Sequence, residues 1–312
     1  MTSAYSIQHV ISADGTSIGY RKCGSGPGLV LIHGAFVSGH EYEMLAEVLS
    51  DTFTLYNVDR RGRLMSGPQG KRYSMNKECE DAWAVLQATG AAYVFGHSYG
   101  GLIALELARA KPDAVARIAV FEPTVSVAGA FPSEWLPAYT QAMARGKGLS
   151  AFVIFLKGVD GSRRLTHMPG WLLKLLLLPS MLFKEGRKLR DKLPTLIKEM
   201  EQVFRLDSTA ANYAAITAET LVMVGSKSPP FMLQGARAAA EAIPQGRLIT
   251  LEGLGHNAPD LFNQAEIAAQ LKSFFQADEA FLGCMNSGRQ VLDGGLEGEA
   301  SDGFSSRYDR LT

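Results

Sequence analysis

Ala91-Ala92-Tyr93-Val94-Phe95, then Gly96-His97-Ser98-Tyr99-Gly100, then Leu102-Ile103-Ala104-Leu105-Glu106-Leu107-Ala108 is the stretch that decides the fold. The first run is continuously apolar and of strand length, and the last is apolar and long enough to continue as a helix. Between them stands Gly-x-Ser-x-Gly. On its own that pattern is common in a chain with 32 glycines. Placed between strand and helix it predicts a nucleophile elbow, with Ser98 as the candidate nucleophile. So sharp a turn has no room for Cβ atoms at its flanks, hence the glycines. The turn lifts the serine hydroxyl above the sheet edge, at a helix N-terminus.

The same alternation recurs on both sides. Leu29-Val30-Leu31-Ile32 ends at His33-Gly34, Phe53 to Val58 ends at Asp59, and Ile118-Ala119-Val120-Phe121 ends at Glu122. Later, Leu221-Val222-Met223-Val224 ends at Gly225, and Leu248-Ile249-Thr250-Leu251 precedes Gly255-His256. Continuous apolar runs imply strands buried on both faces, hence a parallel sheet covered by helices. Helical patterns lie near 41–50, 75–89, 99–111, 232–243 and 260–276. Ser6 to Tyr20, with Asp14-Gly15 at its centre, reads as an antiparallel hairpin in front of them. The expected class is α/β, a doubly wound, mostly parallel sheet with a helical lid inserted after strand 6.

That lid is where the alternation lapses, between about Thr124 and Thr220. Helices are expected from Glu134 to Arg145, Leu149 to Lys157, Trp171 to Leu178 and Leu193 to Phe204. Trp171-Leu172-Leu173-Lys174-Leu175-Leu176-Leu177-Leu178 is apolar nearly all round and too short to span a bilayer. It reads as a lid helix buried against the core. The alternatives are an apolar substrate wall or an interfacial membrane contact, aided by Lys184, Arg187, Lys188 and Arg190. The expected divisions are thus 1–123 and 221–276 for the two parts of the core, 124–220 for the lid, and 277–312 for a polar, Gly-rich, disordered tail.

Composition narrows the function classes. With 312 residues, 46% hydrophobic and 20% charged, there is room for one α/β domain plus an insertion. Lys+Arg and Asp+Glu are equal at 31 each, so bulk charge favours neither nucleic acid nor an anionic membrane as partner. Three scattered cysteines, Cys23, Cys79 and Cys284, build neither a disulfide framework nor a metal site and suit a reducing cytoplasm. Met1 to Ser6 lacks the marks of a signal peptide, and no apolar run of about 20 residues predicts a transmembrane helix. A cytoplasmic location is expected.

A serine nucleophile needs a base, a group that orients the base, and an oxyanion site. Of six histidines, only His256 follows a late strand on a short loop, where it can reach a strand C-terminal end. His9, His33, His40, His97 and His167 are placed elsewhere or directed away. The acid in this architecture usually follows the penultimate strand, but Gly225-Ser226-Lys227-Ser228-Pro229-Pro230-Phe231 carries none. Ser228 stands where it is expected. The preceding strand does end in a carboxylate, Glu122, beside the nucleophile strand. Glu122 is the candidate orienter; in the alternative it caps the lid entrance and Asp260 or a water orients His256. Oxyanion donors are expected from the N–H groups of Tyr99 and Ala35, and Phe36 is expected to line the acyl pocket or pack in the core.

Together, His33-Gly34, Asp59-Arg60-Arg61-Gly62-Arg63 with Ser66-Gly67, the elbow and Gly255-His256 resemble the α/β-hydrolase superfamily over roughly residues 6–276. Leu64-Met65-Ser66 replaces the small Gly-x-Ser usual among its members. Some lactone hydrolases and haloalkane dehalogenases of that superfamily carry the acid where Glu122 stands, while dehalogenases and epoxide hydrolases place aspartate at the elbow, against Ser98. The resemblance implies esterase, lactonase, thioesterase or C–C bond hydrolase chemistry. The expected function is hydrolysis of a small, fairly apolar ester or lactone through an acyl-enzyme, with no cofactor and no metal. A ligand sensor with little turnover, or C–C cleavage, acyl transfer or perhydrolysis by the same triad, are the alternatives. The acyl and alcohol groups and the oligomeric state stay open.

Overall fold

Eight strands form one sheet in the computed structural model, which describes residues 5–159 and 167–276. They are β1 (Ser6–Ile11), β2 (Ser17–Gly24), β3 (Gly28–Ile32), β4 (Thr54–Val58), β5 (Tyr93–His97), β6 (Arg117–Phe121), β7 (Glu219–Gly225) and β8 (Gly246–Leu251). Their order in the sheet is β1-β2-β4-β3-β5-β6-β7-β8. β1 pairs antiparallel with β2, as does β2 with β4. From β4 onward every neighbour is parallel. The inner strands are buried almost throughout, which is why their sequences lack alternation. β8, at the edge, is half exposed.

Helices α1 (Glu43–Leu49), α2 (Met75–Thr89) and α3 (Tyr99–Ala110) connect the first strands. α3 is buried from Tyr99 to Ala108, and each fully buried Leu or Ile on it stabilises the fold by about 1.5–3 kcal/mol. α2 starts on Ser74, whose side chain accepts from the Lys77 N–H, and stops at left-handed Gly90. Between β6 and β7 come α4 (Leu136–Ala144), α5 (Gly148–Val159), α6 (Gly170–Leu182), α7 (Lys184–Lys192) and α8 (Thr195–Arg205). α9 (Pro230–Ala242) and α10 (Gln264–Phe275) complete the α-helices among the described residues. The described residues as far as Phe274 form one compact unit, and the expected tail 277–312 lies outside the described residues.

Two expectations for the insertion differ from what is found. The Leu-rich stretch is helical, but among the described side chains of α6 only Leu173 is buried deeply, while Trp171, Leu175, Leu176 and Leu178 are exposed. Apolar side chains all round a helix cannot all face one core, and one face here is left over. α7 has no forerunner in the sequence reading, because Lys184–Lys192 is polar at nearly every position and shows no apolar period. No helix among the described residues is long and apolar enough to cross a membrane.

Candidate active site

Ser98 stands alone between β5 and α3, with φ 55° and ψ −121°. A non-glycine residue in this region carries strain on the order of 1–3 kcal/mol and persists only where its surroundings hold it. They do. The Ser98 N–H donates to Phe121 O at 3.0 Å, and its carbonyl accepts from the N–H groups of Gly101, Leu102 and Thr124 at 2.9, 3.1 and 3.1 Å. The flanking glycines are required by contact: a Cβ on Gly100 would fall 2.1 Å from Ile32 O, and one on Gly96 would fall 2.4 Å from Gly100 O. The Ser98 hydroxyl lies 3.3 Å from Thr124 Oγ1.

Glu122 follows β6, beside the elbow strand, also at positive φ (46°). Its buried carboxylate accepts from His256 Nδ1 at 2.7 Å through Oε2. The other oxygen, Oε1, accepts from the Gly225 N–H at 2.9 Å and from the Ser228 hydroxyl. Burial pushes the Glu122 carboxyl up, but His256, Ser228 and Gly225 together outweigh it and hold it below the usual carboxylate range. The segment after β7 thus supplies hydrogen bonds to an acid that comes from β6. Asp260, the alternative orienter, meets Asn257 Nδ2 at 3.4 Å; the Nδ1 bond of His256 goes to Glu122.

Ser98 and His256 open on one cavity of about 380 Å³. Ala35 and Tyr99, the expected oxyanion donors, border it, and so does Phe36. Phe36 meets Phe155 edge-on at 4.7 Å between ring centres and Phe152 at 5.8 Å, both on α5. Leu189 of α7 and Leu196 and Met200 of α8 add to the wall, so the helical insertion covers the strand ends where the expected site residues meet. Groups of His, Cys, Asp and Glu able to hold a metal ion are absent among the described residues.

The comparisons with known proteins agree with this fold. The sequence model described as "Alpha/beta hydrolase family" matches residues 29–270, well over half the chain. The chain belongs to the alpha/beta hydrolase family. Among solved structures, an alpha/beta hydrolase from Sphaerobacter thermophilus DSM 20745 superposes with a TM-score of 0.72 at 31% identity, over 86% of this chain and 100% of that one. The pimeloyl-(acyl-carrier protein) methyl ester esterase of Xanthomonas campestris pv. campestris (strain B100) is 29% identical over 81% of this chain and 97% of its own length. The hydrolase YraK of Bacillus subtilis (strain 168) is 32% identical over 36% of this chain, and the chain spans 43% of YraK's length.

In this α/β hydrolase a buried network behind the site escapes sequence reasoning. His33 Nδ1 donates to Gly34 O at 2.8 Å, and its Nε2 accepts from the Arg60 N–H at 3.1 Å. Burial, with Arg60 and Arg63 nearby, keeps the ring neutral, well below the ordinary histidine value. The Arg60 guanidinium donates to Gly34 O at 3.1 Å and lies 4.6 Å from the centre of the Tyr99 ring. It thereby braces both segments expected to donate to the oxyanion. Glu78 pairs with it at 2.7 Å, and Glu199, on α8, pairs with Arg60 and Arg63 at 2.8 Å each. A run of arginines after a strand is the signal for such a network, but its partner lies 139 positions away.

The remaining histidines are engaged or remote. His97 hydrogen-bonds the Tyr42 hydroxyl and packs 4.8 Å from the His256 ring. His40 meets Glu43 at 3.0 Å on the surface, and His9 and His167 are exposed.

Proposed function

We propose that the chain hydrolyses a small, fairly apolar carboxylic ester or lactone through a serine acyl-enzyme. One observation carries this reading: a 2.7 Å bond from His256 Nδ1 to the buried Glu122, with His256 lining the same cavity as Ser98. With Nδ1 donating, Nε2 is the basic nitrogen that takes the Ser98 proton as the oxygen attacks the carbonyl carbon. Glu122 stays ionised and stabilises the imidazolium that forms. The N–H groups of Ala35 and Tyr99 receive the developing oxyanion, helped by the N-terminus of α3. The imidazolium returns its proton to the leaving alcohol, and water, activated by the same ring, releases the acid.

The cavity supports this substrate class. Its walls are Phe36, Phe131, Phe152, Phe155, Leu156 and Met200 among others, which favour an apolar acyl or alcohol group. A volume of about 380 Å³ sits at the small end of ligand cavities. A full-length relative named as a methyl ester esterase supports ester chemistry. The test is a panel of esters and lactones of graded chain length, run with Ser98→Ala and a fluorophosphonate probe. Turnover and covalent labelling are expected in the parent and absent in Ser98→Ala. Turnover surviving that substitution would overturn the proposal.

A further inference from the structure

We infer that α6 and α7 dock the protein, in the plane of the interface, on an anionic lipid surface. Trp171, Leu175 and Leu178 stand at i, i+4 and i+7 of α6, one stripe of the helix, and are 69%, 58% and 45% exposed. Leu176, on the flank between the stripe and Leu173, is 53% exposed, and Phe183, at the joint with α7, is 68% exposed. Leu173, on the opposite side, is buried and fixes α6 to the protein, so the stripe faces outward by construction. Single exposed apolar residues are ordinary, but five within thirteen positions form a patch that marks a contact surface.

Charge identifies the occupant. The chain as a whole is neutral, yet residues 170–192 hold six basic residues against two acidic ones; Lys192 is buried and paired with Glu41, which leaves five. Lys174 falls three after Trp171 and four before Leu178, flanking the stripe, where a lysine can lay its methylenes along lipid and keep its ammonium at the headgroups. α7, packed against α6, carries Lys188 and Arg190. A short Leu-rich helix with tryptophan at one end and phenylalanine at the other, bordered by basic residues, has the composition of an interfacial helix, drawn by apolar burial and by anionic headgroups together. The groove beside the cavity adds the exposed apolar side chains Met44 and Leu261, but it is also lined by Glu41, Glu43 and Asp260, so the anionic surface is met by α6 and α7 and not by this groove. Leu189 of α7 walls both this groove and the main cavity. This inference is independent of the ester chemistry proposed above, because docking is read without turnover.

The experiment is sedimentation of the full chain with vesicles of phosphatidylglycerol or phosphatidylcholine. Parent protein is expected to bind phosphatidylglycerol vesicles about tenfold or more tightly than phosphatidylcholine vesicles, and to be released in part by salt. Trp171→Ser with Leu175→Ser should lose about tenfold or more in binding at an unchanged circular dichroism spectrum. Lys188→Gln with Arg190→Gln should erase the lipid preference, and decides the matter if the first variant does not fold. Absence of binding to anionic vesicles, or full binding by both variants, would overturn the inference. So would a concentration-dependent dimer that Trp171→Ser with Leu175→Ser converts to monomer, which would make the patch a contact between copies.

Discussion

Two carboxyl groups beside His256 are set in opposite directions by their surroundings. Glu122 is held below its ordinary value near 4.5 by His256, Ser228 and Gly225 in spite of burial. Its contribution to stability is therefore present above that value and is lost as pH falls through its lower folded one. Burial pushes Asp260 up to about 6 from 3.8, against the pull of His256 and Asn257, and its Oδ1 has no hydrogen-bond partner among the described residues. Between these two values the folded chain keeps a proton that the unfolded chain has released, so Asp260 lowers stability as pH rises through the window. Asp260→Asn should raise the urea midpoint at pH 7.5, by up to roughly 3 kcal/mol of stability, with the gain shrinking toward pH 4. Glu122→Gln should cut kcat by up to about 10⁴, as loss of the orienting carboxylate does in other triads, with the circular dichroism spectrum unchanged. Near-parental kcat in that variant would remove Glu122 from the proposed mechanism. Ser98, His256 and Glu122 are legible in the sequence because each ends a strand or follows one. The roles of Ser228 and Gly225 are not, since hydrogen bonds to a distant carboxylate leave no mark on the residues that make them.

Elements are legible where burial writes a period into the chain. Leu29–Ile32 and Ile118–Phe121 coincide with β3 and β6 to within one residue, because both faces of those strands are covered. α7 is invisible for the opposite reason, being held by its neighbours while its own sequence is polar. α6 is visible as a helix but misleading about burial, since leucine on every side says nothing about which side is covered. The tightest constraint on any element is at the elbow. Gly100→Ala would place a methyl 2.1 Å from Ile32 O and 2.6 Å from His33 O, both backbone atoms that cannot swing away. Overpacking of this kind costs about 1–3 kcal/mol and at times more. Separation of α3 from β3 should follow, seen as a lower unfolding midpoint together with loss of probe labelling at Ser98.

Across the whole molecule, three parts distant in sequence meet at Arg60: the loop after β4, Glu78 on α2 and Glu199 on α8. All these side chains are almost fully buried, so removing one partner strands charge, at a cost of about 3–5 kcal/mol. Glu199→Ala should lower the urea midpoint accordingly. It should also slow fluorophosphonate labelling of Ser98, because Arg60 braces Gly34 and Tyr99. Unchanged labelling at a lowered midpoint would confine Glu199 to stability alone. There is a practical corollary for anyone exchanging substrate preference by transplanting the α4–α8 segment from another hydrolase. The recipient keeps two arginine charges sealed in its interior, and the donor segment must deliver an oxygen anion to the place of Glu199. Grafts without one are expected to fail in folding before they can be tried on a substrate, unless Arg60 and Arg63 are rewritten with them.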